Sequence, residues 1–317
     1  MRETKIHTLN QQRHKKINNV GFPCVKPTYG IYPKVAVIYY FSIMDKQQLK
    51  KLFIGDLTWK RMLKSLIFIY AFFAVYVYFR ADSMIFLPQP SSYQDNQDIL
   101  KIKTAENKSI SAIYLPNSQA KYTILYAHGN AEDLGYIKPH LQKIRDLGFS
   151  VFAYDYRGYG TSEGTPTEKA AYQDIETAYN YLTQKLNISP QQIIVFGRSV
   201  GGGSAVDLAS KKPVAGLIVE SSFTSIFRVV VPVPLLPFDK FTNLDKIKKV
   251  KCPVLIIHGK YDEIIPFSHG EKLFAAVSSP KLSFWVDKAS HNDLSFVAGQ
   301  RYWEILKKFT DLVEKNH

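Results

Sequence analysis

Short apolar runs alternate with longer amphipathic ones along the chain from residue 99 onward. The runs at 123–127, 151–155, 193–196, 216–220, 253–257 and 282–286 are rich in β-branched and aromatic residues and are followed by turn formers. That pattern predicts short strands buried on both faces. Between them, 136–147, 167–186 and 200–211 read as helices. In 167–186, Tyr172, Ile175, Tyr179, Leu182 and Leu186 recur at spacings of 3, 4, 3 and 4, which puts one apolar stripe on a helix. A hairpin is expected from 99–104 and 109–115, turning at Glu106-Asn107-Lys108, and a long amphipathic helix closes the chain. Strand–helix alternation behind an antiparallel start predicts an α/β fold: a mostly parallel central sheet with helices on both faces. No internal repeat is visible. Between residues 220 and 253 the alternation breaks. Val229–Phe238 is apolar but holds Pro232, Pro234 and Pro237, too many for a regular helix or central strand.

One motif sits at a junction of these elements. Gly197-Arg198-Ser199-Val200-Gly201 joins the strand 193–196 to the helix 200–211. A strand turning sharply into a helix with serine at its apex exposes the hydroxyl above the end of the sheet. The glycines leave room where strand and helix cross. A serine hydroxyl is a poor nucleophile until an imidazole takes its proton, and the imidazole needs an acceptor to fix its tautomer. In the chain order Ser, acid, His, the candidates are Asp262, in the loop after 253–257, and His291, in the loop after 282–286. Both lie just past the carboxyl ends of strands, where open parallel sheets hold their ligands. Glu263 stands beside Asp262 as the alternative acid. His258 lies inside its strand and reads as a structural histidine. His269 opens a helix and is expected at the surface or rim. Asp293 falls on the wrong side of the expected order, and Ser204, Ser221 and Ser222 lack the glycine spacing. An oxyanion would meet the backbone N–H of Val200, at a helix N-terminus. A second donor is expected from His128-Gly129-Asn130-Ala131, after the strand 123–127: the Asn130 N–H, with Ala131 next. His128 is expected to shape that loop. The segment 221–250 is then a small cap, either a lid that meets an acyl chain or the bilayer, or a packed connection without substrate contact.

Charge changes the picture at the other end. The formal net charge is +14, but residues 1–80 hold 14 Lys or Arg against 3 Asp or Glu, and residues 81–317 the remaining 27 against 24. The catalytic part is nearly balanced and has no basic stripe interleaved with stacking aromatics, which argues against nucleic acid as a partner. With only Cys24 and Cys252, neither a disulfide framework nor a thiol mechanism is implied.

The basic excess flanks residues 66–79, which contain no charged side chain; Leu63 extends the run past Lys64, which can snorkel. Trp59, Tyr76 and Tyr78 suit the membrane interface. Lys50, Lys51, Lys60, Arg61 and Lys64 precede the run and only Arg80 follows closely. A single-pass signal anchor over 63–80 is therefore expected, with the N-terminus cytoplasmic and the rest of the chain on the far side. A cleaved signal peptide is the alternative, but no small-x-small cleavage site follows. The chain then divides into a basic segment at 1–62, the anchor, a linker at 81–97 and one domain at 98–317. Residues 1–43 are expected to be disordered, or absent from the native protein if translation starts at Met44.

From about Ser83 onward the chain resembles the Bem46-like branch of the α/β-hydrolase fold. The resemblance rests on residues His128-Gly129-Asn130-Ala131-Glu132-Asp133-Leu134-Gly135, on Tyr154-Asp155-Tyr156-Arg157-Gly158-Tyr159-Gly160-Thr161-Ser162-Glu163-Gly164, on the serine elbow, on Val254-Leu255-Ile256-Ile257-His258-Gly259, on Asp262-Glu263-Ile264-Ile265-Pro266-Phe267-Ser268-His269-Gly270, and on His291-Asn292-Asp293. It implies Ser199 as nucleophile, Asp262 as acid and His291 as base. The branch includes animal membrane-bound hydrolases that remove palmitate from cysteines. Those carry an N-terminal cysteine cluster for their own lipidation, where this chain has an apolar anchor. The expected activity is membrane-anchored serine hydrolysis of acyl esters or thioesters, lipid-linked ones among them, without metal or organic cofactor. The alternatives are a peptidase of the prolyl-oligopeptidase-like kind, or a silent tethered interaction module.

Overall fold

A computed structural model of the chain describes Asp45 and residues 58–316. The expectations for residues 1–43, for the basic residues ahead of Thr58 and for Cys24 lie outside the described residues. The chain divides into two compact units, Met1–Tyr70 and Ala71–His317.

Helix α1 (Trp59–Ile85) is 27 residues long. Among the described residues it is the one helix long and apolar enough to cross a membrane. It exceeds the expected 63–80 segment at both ends. Residues 81–85, expected in the linker, form its last turns. Nothing before Pro88 breaks a helix, and the residue ahead of a proline is the one pushed out of helical geometry. In the first unit, residues 59–70 are exposed on every side. In the second, Val77 and Ala81 are buried and Ala74 half-buried, so one face of small side chains lies against the domain. The following stretch, expected to be a linker, is also bound to the domain. Phe86 is buried, with its ring edge-on to Tyr156, Tyr159 and Phe241 at 6.0–6.4 Å. Leu87 N–H donates to Asn130 Oδ1 and to Tyr159 Oη, both at 3.0 Å.

The eight strands are β1 (Ile99–Lys103), β2 (Ser109–Leu115), β3 (Thr123–Ala127), β4 (Ser150–Tyr154), β5 (Ile193–Arg198), β6 (Gly216–Glu220), β7 (Val254–Gly259) and β8 (Lys281–Val286). They form one sheet in the order β1-β2-β4-β3-β5-β6-β7-β8. β1 pairs antiparallel with β2, and β2 with β4; every other pair is parallel. The helices that follow are α2 (Leu134–Asp146), α3 (Glu168–Asn180), α4 (Gly201–Lys211), α5 (Ile226–Val230), α6 (Asn243–Ile247), α7 (Ser268–Ala276), α8 (Leu294–Ala298) and α9 (Gln300–Glu314). Helix α3 is shorter than the expected 167–186 because Tyr181–Lys185 continues as a wider π turn. The apolar side chains of the strands alternate between two cores, one on each face of the sheet: Leu125, Phe152, Val195 and Leu217 on one, Ile124, Val151, Ile194 and Ile218 on the other. Full burial of β3, β4, β6 and β7, and of β5 up to Arg198, explains their apolar runs.

The strand order reverses at β3. The chain leaves β3 for β4 on one side and returns to β5 on the other, with Ala127 opposite Gly197 at the carboxyl ends. A crevice opens at such a switch point because the loops diverge there. The loop 128–131 and Ser199 follow these two strands directly.

Candidate active site

The turn after β5 is built as the glycine spacing requires. Ser199 has φ 53°, a left-handed conformation that side chains rarely adopt. A Cβ on Gly197 would come to 2.4 Å from Gly201 O, and one on Gly201 to 2.1 Å from Ala127 O, the end of β3. Helix α4 thus starts in direct backbone contact with the neighbouring strand. Ser199 is held from both sides: its N–H donates to Glu220 O at 2.8 Å, and its carbonyl accepts from Ser222 Oγ at 2.9 Å.

Three side chains far apart in sequence meet here. His291 Nε2 lies 3.1 Å from Ser199 Oγ, and its Nδ1 lies 2.8 Å from Asp262 Oδ2. A carboxylate only accepts, so Nδ1 carries the proton and Nε2 presents a lone pair to the hydroxyl. All three residues are buried. Asp262 Oδ1 accepts from the N–H groups of Ile264 and Ile265, at 3.0 and 2.7 Å. Burial pushes a carboxyl's pKa up, but the hydrogen bonds from His258, His291 and Ile265 outweigh it and hold Asp262 well below the usual carboxylate range. Glu263, the alternative acid, is exposed. Such a row can draw a proton from the hydroxyl and keep the resulting imidazolium beside a negative charge.

The other candidates have different places. His258, read as structural, donates through Nε2 to Ile265 O at 2.9 Å, and the same nitrogen lies 3.3 Å from Asp262 Oδ2. It is a second donor to the carboxylate, which the sequence did not reveal. His269 is not at the surface or rim; it is buried, and its Nδ1 accepts from Thr224 N–H at 3.1 Å. That bond ties the start of α7 to the start of the cap, which is why the ring is drawn inward. Asp293 accepts from Ser290 N–H at 2.7 Å and shapes the histidine loop. Ser204 and Ser221 are buried.

The loop after β3 is pinned from several directions. His128 Nδ1 donates to Gly129 O at 2.7 Å, and Nε2 faces Asp155 Oδ1 at 3.2 Å. The Asn130 side chain donates to Ile85 O at 2.6 Å, and its Oδ1 accepts from the Tyr159 hydroxyl and from the Ala131 N–H. Among the described residues, the backbone N–H groups of Val200 and Asn130 make no hydrogen bond. Both residues line the same cavity as Ser199.

A network the sequence did not reveal joins the elbow to the histidine loop. Arg198, the variable residue before the serine, pairs with Glu132, and its Nε lies 3.4 Å from Glu220. Its Nη2 donates to Asn292 Oδ1 at 2.7 Å and to His291 O at 3.4 Å. Tyr302 donates to Glu220 at 2.6 Å. These groups line a polar cavity of about 160 Å³ that also reaches His140, whose pKa burial and then the Arg198 charge push down to about 4. A charged residue at a variable motif position gives no signal of its partners until the fold closes.

The larger cavity, about 430 Å³, opens onto Ser199 and is almost wholly apolar. Phe227, Val229, Val231 and Leu236 of the segment 221–250 line it, so the cap shares a cavity with the candidate nucleophile. The segment contains the short helix α5 and is held by Asp239, which accepts from Ser225 Oγ and Phe227 N–H and lies 3.3 Å from Arg228. Among the described residues, no group of His, Cys, Asp and Glu side chains has a metal-holding arrangement.

Residues 118–242 match the family described as "Serine aminopeptidase, S33". The human "Alpha/beta hydrolase domain-containing protein 17B" is 40% identical over 223 residues, 69% of this chain and 77% of the relative. The Caenorhabditis elegans "Alpha/beta hydrolase domain-containing protein aho-3" is 40% identical over 201 residues, 62% of this chain and 59% of the relative. Among solved structures, the Pyrococcus furiosus esterase Pf2001 is 20% identical with a TM-score of 0.60, over 71% of this chain and 98% of that one. The Exiguobacterium antarcticum esterase EaEST is 16% identical with a TM-score of 0.53, over 67% and 98%. The last two likenesses are of fold.

Proposed function

We propose, because the chain belongs to the Bem46-like family of α/β-hydrolases, that it is a serine hydrolase of acyl esters or thioesters. Ser199 is the nucleophile, His291 the base and Asp262 the residue that orients it. The observation that carries this reading is the row of contacts at 3.1 and 2.8 Å through one imidazole. His291 takes the Ser199 proton as Oγ adds to the substrate carbonyl. The oxyanion that forms is held by the N–H groups of Val200 and Asn130, fixed in place before the charge appears. His291 then passes the proton to the departing alcohol or thiol, leaving an acyl-serine. A water, deprotonated by the same imidazole, releases the acid and restores the hydroxyl. Asp262 stays ionised throughout, because its hydrogen bonds favour the charged form.

Helix α1 is the membrane anchor in this reading, supported by its length and by its exposed aromatic and aliphatic side chains. The basic residues ahead of it put the N-terminus in the cytoplasm and the hydrolase on the other side. A peptidase is the second reading, favoured by the description of the matching family. Turnover of p-nitrophenyl esters beside aminoacyl amides separates the two: esters are expected to be the better substrates.

A fluorophosphonate probe is expected to label the wild type, and Ser199→Ala to lose both labelling and turnover, the latter by about 10⁴-fold or more. Labelling that persists in Ser199→Ala overturns the assignment of the nucleophile.

A further inference from the structure

The C-terminal turns of α1 do more than lie against the domain. Phe73, Val77 and Met84 line the cavity that contains Ser199, together with the cap residues. Phe73 and Val77 belong to the uncharged run 66–79, the part of the chain composed for a bilayer. Phe73 is six residues ahead of Phe79, about 9 Å along a helix. The cavity wall therefore reaches into the apolar run rather than stopping at its end. Beside it the cap exposes Val230, Val233 and Leu235, at 83%, 53% and 59%, and all three also line the cavity. Apolar surface is thus continuous from the outside of the cap to the serine. Exposed apolar surface on this scale marks a site for another apolar body.

We propose that residues 73–85 of α1 form one wall of the acyl-binding site, so that the membrane helix itself selects for acyl-chain length. The occupant is the long hydrocarbon chain of a membrane-resident ester or thioester, its carbonyl at Ser199 and its tail between α1 and the cap. A chain already in the bilayer enters along α1 without crossing water. The proposal rests on the serine-hydrolase reading. It adds that a segment outside the hydrolase fold proper, lying ahead of the first strand, supplies specificity.

Each methylene that the wall shields from water is worth about a fourfold gain in kcat/KM until the cavity is full. The test uses the full-length protein in phosphatidylcholine vesicles and p-nitrophenyl esters from acetyl to hexadecanoyl. Met84 is 60% exposed, so Met84→Trp is compatible with folding while filling part of the cavity. It is expected to lower the ratio of kcat/KM for hexadecanoyl over acetyl ester by about tenfold or more. Phe73→Ala removes wall and is expected to lower the same ratio less steeply. Phe72→Ala, on the same helix but not lining the cavity, is expected to leave the ratio within about twofold of wild type. Unchanged ratios in Met84→Trp and Phe73→Ala, or an equal change in Phe72→Ala, overturn the proposal while leaving the hydrolase reading intact. A wild-type protein that turns over no ester of any length overturns both.

Discussion

His128 illustrates how a residue can serve the site without touching the reacting atoms. Its two nitrogens both face acceptors, Gly129 O at 2.7 Å and Asp155 Oδ1 at 3.2 Å, a setting that favours the doubly protonated ring. Burial works against the charged ring, but the hydrogen bond and charge of Asp155, with Gly129 O, outweigh it and raise the His128 pKa. A histidine raised above its unfolded value of about 6.5 contributes stability that is complete below that pH and is lost as pH rises through the folded value. As pH rises above about 6.5, the denaturation midpoint of the wild type is therefore expected to fall more steeply than that of His128→Gln. Equal slopes in urea titrations across that range would mean that the ring is neutral and the loop is ordered by other contacts. Asp155 connects this ring to Leu134 N–H at 3.0 Å and to the Tyr93 hydroxyl at 2.6 Å. The sequence marked His128 as a loop shaper but carried no sign of these partners, since Tyr93 comes from a stretch that read as linker.

At the scale of elements, the strands were the most legible part. β3 and β6 fall where their apolar runs predict, because burial on both faces leaves polar side chains only at a strand end, Thr123 in β3 and Glu220 in β6, and the turn formers cut each run cleanly. The elbow was legible for a similar reason, since only glycine permits its backbone contacts. Gly201→Ala puts a methyl into Ala127 O and His128 O, backbone atoms that cannot turn aside. The expected cost is about 1–3 kcal/mol, read as a lower urea midpoint, together with weaker fluorophosphonate labelling as the 128–131 loop shifts. A variant with wild-type stability and labelling would show that α4 can move away from β3 freely. The docked face of α1 was not legible. Ala74, Val77 and Ala81 are a spacing of 3 and 4 on a helix whose other faces are equally apolar, so periodicity carries no contrast. The cap was legible only as a break, because its hold on the domain comes from His269 and Glu168, polar contacts between distant segments.

For the whole molecule, the arrangement of charge and the position of the sheet lead to one question, which side of the membrane the hydrolase faces. Lys60, Arg61 and Lys64 precede the uncharged run, whereas Arg80 stands alone after it and is followed by Asp82. On the proposed reading of α1 as an anchor, the positive-inside bias puts residues beyond it on the non-cytoplasmic side. Two features of the folded domain make this testable. Asn107-Lys108-Ser109 and Asn187-Ile188-Ser189 match the N-x-S acceptor pattern for glycosylation, and both asparagines are exposed. Asn107 sits at the hairpin turn between β1 and β2, on the edge of the sheet that holds the carboxyl ends of the parallel strands but at the far end of the strand order from β5 and β7. Asn187 sits just past the π turn, ahead of β5, and each asparagine has a positive φ. Synthesis of the full chain in the presence of endoplasmic-reticulum microsomes is expected to give a heavier, protease-protected species. Asn107→Gln combined with Asn187→Gln is expected to remove the added mass while protection remains. A product that gains no mass and is digested from outside the vesicles would place the domain in the cytoplasm and overturn the orientation drawn from the charge bias ahead of α1.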